Sequence, residues 1–173
     1  FRAAGDITED FTIVGGVYYL NSDYSINGGP NPVVPGLGTG TAFVLGGPVG
    51  DFTAGQELNA FAVFADGTYE ITEKFSFSGG IRYTREKKEF EIDFITPELG
   101  EEAVEESFSA ITGRGIFQYQ FEDDVMACIG WSRGYRSGGF NGRATVSTAI
   151  GPYDEEVVDS FEGGGRAEFF DNR

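Results

Sequence analysis

The sequence has 173 residues, with 28 acidic and 12 basic side chains, no histidine and a net charge of −16. That balance argues against a nucleic-acid partner, which needs a basic surface, and the missing histidine removes the commonest general base and metal ligand. One cysteine, Cys128, excludes an internal disulfide framework and a cysteine-based zinc site, while 17 Phe, 8 Tyr and 27 Gly bias the chain towards strands and turns.

The length suggests one domain. The stretch opens at Phe1 with no basic segment followed by an apolar run, so no secretory leader is expected in it. It stops at "FFDNR", in what reads as a turn, and is expected to be a fragment of something longer. No apolar run approaches the ~18 residues of a transmembrane helix, but a transmembrane strand needs only about 9–11 residues of alternating character.

The first strands are expected near 10–20 and 57–70 and are apolar on both faces. A long Gly- and Pro-rich connection separates them, from about Asn21 to Gln56. Its "GLGTGTAF" at 36–43 lacks the strand-to-helix setting of a phosphate loop. After the polar turn "ITEK" at 71–74 comes a strand over 75–94, "FSFSGGIRYTREKKEFEIDF". Phe75, Phe77, Gly79, Ile81 and Tyr83 share one face, and Ser76, Ser78, Gly80, Arg82 and Thr84 the other. Twenty such residues reach about 65 Å, against a usual strand of about 5–6 residues.

A second long connection, 95–107, carries Glu98, Glu101, Glu102, Glu105 and Glu106. It lacks the spacing of a calcium loop and reads as solvated acidic surface. The next strand, 108–121, puts Ile111, Gly113, Gly115, Phe117, Tyr119 and Phe121 opposite Arg114, Gln118 and Gln120. Past the short turn "EDD" at 122–124, the strand 125–136 groups Val125, Ala127, Ile129, Trp131 and Tyr135 and puts Cys128 among small residues on the other face. A third long connection, about 137–156, leads to a strand over 157–170. There Phe161, Gly163, Gly165, Ala167 and Phe169 oppose Glu162, Arg166 and Glu168, before a last short turn, "DNR".

The charges sort by face. Arg82, Arg114, Glu162, Arg166 and Glu168 lie on the polar face, and only Arg133 shares the apolar one, beside Trp131 and Tyr135 near a strand end. An arginine on a lipid-facing surface costs about 2–4 kcal/mol at mid-bilayer and about 0–1 near an interface. Short turns flanked by aromatics alternate with long polar loops, which is the plan of an outer-membrane barrel. Two soluble readings stay open. A propeller also repeats at about 50 residues, but with four short strands per blade, and a β-sandwich expects turn signals every ~8–12 residues.

Four segments carry a family resemblance. "FSFSGGIRYTREKKEF" resembles a barrel strand of TonB-dependent outer-membrane receptors. "GYRSGGFN" is similar to their strand-to-loop signature, "DSFEGGGRAEFFDNR" to a later strand and turn, and "NAFAVFADGTYEITEKFSFSGGIRYT" to the hairpin before the first motif. Together they cover roughly 57–173 in the family's order. Glu162-Gly163-Gly164 departs from the family's usual Glu-Leu-Gly, and "MACIGW" stands where Tyr and Ala or Ser are usual.

The resemblance implies an all-β fold, an antiparallel transmembrane β-barrel fragment of about six long strands, with short periplasmic turns and long extracellular loops. It implies a Gram-negative outer membrane, a barrel closed by a plug, and uptake of a scarce nutrient, most plainly a ferric siderophore or similar metal chelate. The expected partners are outer-membrane lipid and lipopolysaccharide, the chelate, and the TonB–ExbB–ExbD complex through an N-terminal region outside this sequence. A passive porin and a soluble β-repeat binding module are the alternatives. No enzyme chemistry, cofactor or metal site is expected.

Trp131 and Tyr135 are then expected as interfacial anchors, with Arg133 reaching lipopolysaccharide phosphates. Arg82, Arg114, Glu162, Arg166 and Glu168 are expected to face the lumen and pair with a plug or with one another. Arg136, Phe140 and Asn141 have two readings: a structural strand exit, or part of the substrate vestibule.

Overall fold

A computed structural model describes residues 1–28, 43–44, 47–48, 52–94, 100–142, 144 and 147–168. One antiparallel sheet dominates it, with seven strands in simple sequence order. They are β1 (Arg2–Thr8), β2 (Phe11–Gly28), β3 (Phe52–Thr72), β4 (Phe75–Phe94), β5 (Glu101–Glu122), β6 (Val125–Arg136) and β7 (Glu156–Ala167). A separate two-residue pair, Phe43–Val44 with Gly47–Pro48, lies between β2 and β3. Among the described residues no helix is long and apolar enough to cross a membrane.

The sheet has one strand more than the six expected. β1 reads RAAGDIT and is exposed throughout, so its own pattern carries little strand signal; pairing with β2 makes it one. β5 starts at Glu101, well inside the expected acidic connection. Two lysines offset the acidic run there, Lys88 facing Glu106 in register and Lys87 reaching Glu105 at 2.9 Å, although Glu89 faces Glu105 and Asp93 faces Glu101. Similarly, β2 continues to Gly28 and β3 starts at Phe52, which narrows the 21–56 connection. The "GLGTGTAF" run before Phe43 and the last turn, "DNR", lie outside the described residues.

Three tight turns close the hairpins, at Glu9–Asp10, Glu73–Lys74 and Asp123–Asp124. Each follows a register irregularity, between Asp6 and Thr8, Glu70 and Thr72, and Gln120 and Glu122. Such a bulge sharpens the local twist where the chain must reverse. At the second turn the Thr72 hydroxyl accepts bonds from the amides of Lys74 (3.3 Å) and Phe75 (3.0 Å).

Register keeps odd residues opposite odd from β2 to β7, as in Val17–Val63, Tyr83–Ile111, Gly115–Trp131 and Trp131–Phe161. The sheet therefore has an odd face and an even face. Near the tight turns the odd face is apolar and exposed: Ile81 is 60%, Ile111 61%, Ile129 65% and Phe161 79% accessible. Glycines on this face make room for rings. A Cβ at Gly79 would stand 2.8 Å from the Phe77 ring, whose other edge lies 3.4 Å from a Cβ position at Gly115. Phe77 in turn packs on Phe117 (4.8 Å), and Phe117 stacks on Phe75 (5.7 Å).

The two faces exchange character along each long strand. Above the row Phe61–Arg85–Ser109 the odd face turns polar, with Asn21, Glu57, Asn59, Lys87, Glu89 and Glu105. The even face does the reverse. It carries Asp66, Arg82 and Arg114 near the turns and Ala54, Phe90, Ile92 and Val104 at the far end, where the buried core sits.

Candidate functional site

The core is built by a loop lying on the even face. β6 pairs with β5 only as far as Arg133–Gly113, while β5 runs on to Glu101 and β4 to Phe94. The chain leaving β6 thus meets a wall of strand that stands well above it. Phe140 stacks on Phe90 (ring centroids 5.7 Å apart, 19° between planes), and Ala144 and Ile150 complete a cluster with Ala54 and Ile92. Burying a Phe ring in this way stabilises the contact by about 2–3 kcal/mol.

Glycine decides how closely the loop can lie. A Cβ at Gly138 would collide with the Tyr153 carbonyl and the Phe108 ring. With that space clear, Gly139 and Tyr153 exchange two backbone bonds: the Gly139 amide donates to Tyr153 (3.1 Å) and the Tyr153 amide donates back (2.9 Å). The return is made at Gly151, whose φ of 109° a side chain would strain. Asn141 adds a staple, its amide donating to the Ile150 carbonyl (2.7 Å) and its side-chain nitrogen to that of Ala149 (3.2 Å). One ammonium ties loop to wall. Lys88 Nζ donates to the Gly138 carbonyl at 2.6 Å, lies over the Phe108 ring at 5.5 Å and has Glu86 at 3.7 Å.

Of the three residues read as strand exit or vestibule, Phe140 is buried as the loop's anchor and Asn141 staples the loop. Arg136 is exposed and faces Glu156 across the strands at 3.6 Å. Lys88, Phe108 and Tyr153 were not singled out from sequence. In "REKKEF" an even-numbered lysine looks like any solvated charge, and only its alternation with Phe90 hinted at a covered face.

The other even-face charges lie nearer the turns. Arg114 grips Asp66 with both arms of its fork, Nε and Nη2 each at 2.9 Å. Arg166 pairs with Glu168 two residues along the chain, and Ser160 donates to Glu162 at 3.3 Å. Arg82 donates through Nε to Thr84 Oγ1 (3.0 Å) and lies over the Tyr18 ring at 5.6 Å.

On the odd face, Trp131 Nε1 donates to Asp159 at 2.9 Å, and Arg133 grips the same carboxylate at 2.9 and 2.7 Å. Arg133 therefore has a cross-strand carboxylate partner, Asp159, beside Trp131. Tyr135 pairs in register with Val157, and its hydroxyl is enclosed near Ser137. Higher up, Lys87 lies in the polar part of the odd face, well away from the tight turns. Its hydrogen bonds to Glu89 and then Glu105 hold the ammonium protonated above the ordinary lysine range. No cluster of metal-capable side chains occurs among the described residues.

Two comparisons bear on this architecture. A model of the family described as TonB dependent receptor-like, beta-barrel, matches residues 1–173. The crystal structure of the ferric yersiniabactin uptake receptor FyuA from Yersinia pestis is similar, with a TM-score of 0.74 at 21% identity. The match covers 96% of this chain and 25% of that one, so the sequence spans about a quarter of the receptor's length. No curated protein sequence matches.

Proposed function

The chain belongs to the TonB-dependent receptor β-barrel family, and from that premise we propose that it forms part of the wall of an outer-membrane receptor that imports a bulky metal chelate, with ferric siderophores the leading class. The carrying observation is the exchange of face character at the row Phe61–Arg85–Ser109. Below it the odd face would meet lipid and the even face a polar lumen. Above it the odd face would meet water, and the even face is covered by the chain's own loop.

On this reading the tight turns are periplasmic and the long connections extracellular. β3, β4 and β5 have 21, 20 and 22 residues, about twice what a tilted crossing needs. The upper halves would therefore form a rampart around the mouth, with the 137–155 loop lining its inner side. An acidic exterior opposes long-range steering of an anionic chelate, so capture falls to local donors such as Arg136, with its exposed guanidinium. Energy would come from the inner-membrane TonB–ExbB–ExbD complex acting on parts of the receptor outside this sequence.

The test is uptake of radiolabelled ferric chelates by cells expressing the full-length receptor, with and without TonB. Import that needs TonB supports the proposal. Import that persists without it indicates a passive pore, and TonB-dependent import of a saccharide instead moves the substrate class.

A further inference from the structure

The residue that staples the loop is followed by glycine, and Asn-Gly is the peptide step most open to attack of the backbone on its own side chain. The sequence has two such steps. Asn27–Gly28 is held extended in the β2–β3 ladder, opposite Thr53 and Phe52. Asn141–Gly142 lies instead in a chain reversal, where the Ala144 amide donates to the Asn141 carbonyl at 3.1 Å. Asn141 is exposed to water. With no Cβ on the following residue, nothing screens the Gly142 nitrogen from the carbonyl carbon of the Asn141 side chain. Hydrogen bonds restrain that side chain: its nitrogen donates to Ala149 (3.2 Å), and the Asn141 backbone amide donates to Ile150 (2.7 Å). Gly142 is not needed for space. A Cβ there would lie 3.8 Å from the Phe90 ring and 3.9 Å from Ile26, which is ordinary contact.

We propose that Asn141 is a self-modification site, where deamidation is restrained while the loop is docked and, once complete, weakens the docking. The Gly142 nitrogen attacks Asn141 Cγ. The new N–Cγ bond forms as the Gly142 amide proton passes to water, and the Cγ–Nδ2 bond breaks to release ammonia. Water then opens the cyclic imide at either of its carbonyl carbons, giving aspartate or isoaspartate. No oxidant, reductant or cofactor takes part. The product has lost the donor that served Ala149, and a carboxylate oxygen now faces that carbonyl oxygen with charge of the same sign. Isoaspartate also adds a methylene to the main chain, which displaces the reversal closed by Ala144. Either product leaves Phe140 less firmly held on Phe90. This chemistry is independent of what the receptor imports.

The experiment ages the purified full-length receptor at mildly alkaline pH and follows the Asn141 peptide by mass spectrometry, beside a synthetic peptide GGFNGRA. Asn141 should convert about tenfold more slowly in the receptor than in the peptide, the worth of about one staple bond. Phe140→Ala, which undocks the loop, should recover most of that difference, and Gly142→Ala should suppress conversion. Docking is read by labelling Ile92→Cys, in a Cys128→Ser background, with a water-soluble maleimide. Ageing should raise the labelling rate with Gly142 in place and leave it unchanged in Gly142→Ala. Asn141→Asp should show the raised rate without ageing. Asn141 that stays intact in Phe140→Ala while the peptide converts overturns the site. Equal conversion with and without the Phe140 ring overturns the restraint by docking, and unchanged labelling in Asn141→Asp overturns the consequence for the loop.

Discussion

Removing the Phe140 ring should free the loop from the wall while the barrel stays folded. Phe140 is 8% exposed and stacks on Phe90, and beneath it Ile92 is 1% exposed. A buried Phe→Ala change costs about 3–5 kcal/mol. The lower value fits here, because the cluster is a thin layer on one face of a sheet and can collapse after the ring is lost. At about 1.4 kcal/mol per decade, 3 kcal/mol raises the open population about a hundredfold. The reporter is Ile92→Cys in a Cys128→Ser background of the full-length receptor, labelled with a water-soluble maleimide. Phe140→Ala should raise the labelling rate about a hundredfold where opening is a rapid pre-equilibrium. Lys88→Met, which removes one charge-assisted bond to Gly138, should raise it about tenfold. Gly138→Ala, whose new methyl meets the Tyr153 carbonyl and the Phe108 ring, should open the loop as well. Heat-modifiable gel mobility checks that the barrel is intact. An unchanged labelling rate in Phe140→Ala, with the barrel intact, refutes the idea that this ring holds the loop down.

Cysteines at Ile81, Phe117 and Ile129 should react with a lipid-soluble probe in membranes and those at Ser78 and Gln118 should not; equal labelling of both sets would contradict the face assignment. A double-mutant cycle over Asp66→Asn and Arg114→Gln should give a coupling of about 0.5–1 kcal/mol in chemical unfolding, since the pair is bidentate but its arginine is half-exposed; additive variants would mean that the contact contributes nothing. Lys87 has a raised folded-state pKa, so its contribution is complete below the unfolded value of about 10.4 and is lost only as pH rises towards the folded one. The difference in thermal midpoint between wild type and Lys87→Gln should therefore stay constant from about pH 6 to 9, and a decline across that range would show that another group controls the contact.

Alternation made the faces of the later strands legible. Side chains in a strand point to opposite sides with period two, so Phe77, Ile81 and Arg82 declare their faces without knowledge of any partner. The same rule put Arg82, Arg114, Glu162 and Arg166 together on one face. Partner identity is a different kind of fact. That Asp66 meets Arg114, Asp159 meets Arg133 and Lys87 meets Glu105 depends on register between residues up to 48 positions apart. Register is set by the bulges and turns of every hairpin together. It turned an acidic "loop" into strand and gave Arg133 a carboxylate partner. The 137–155 loop marks the limit. Its glycines and Phe140 advertise an exit from a strand. Their destination depended on β5 outrunning β6 and exposing an apolar wall at Phe90 and Ile92, and no local pattern of residues records the height of a neighbouring strand.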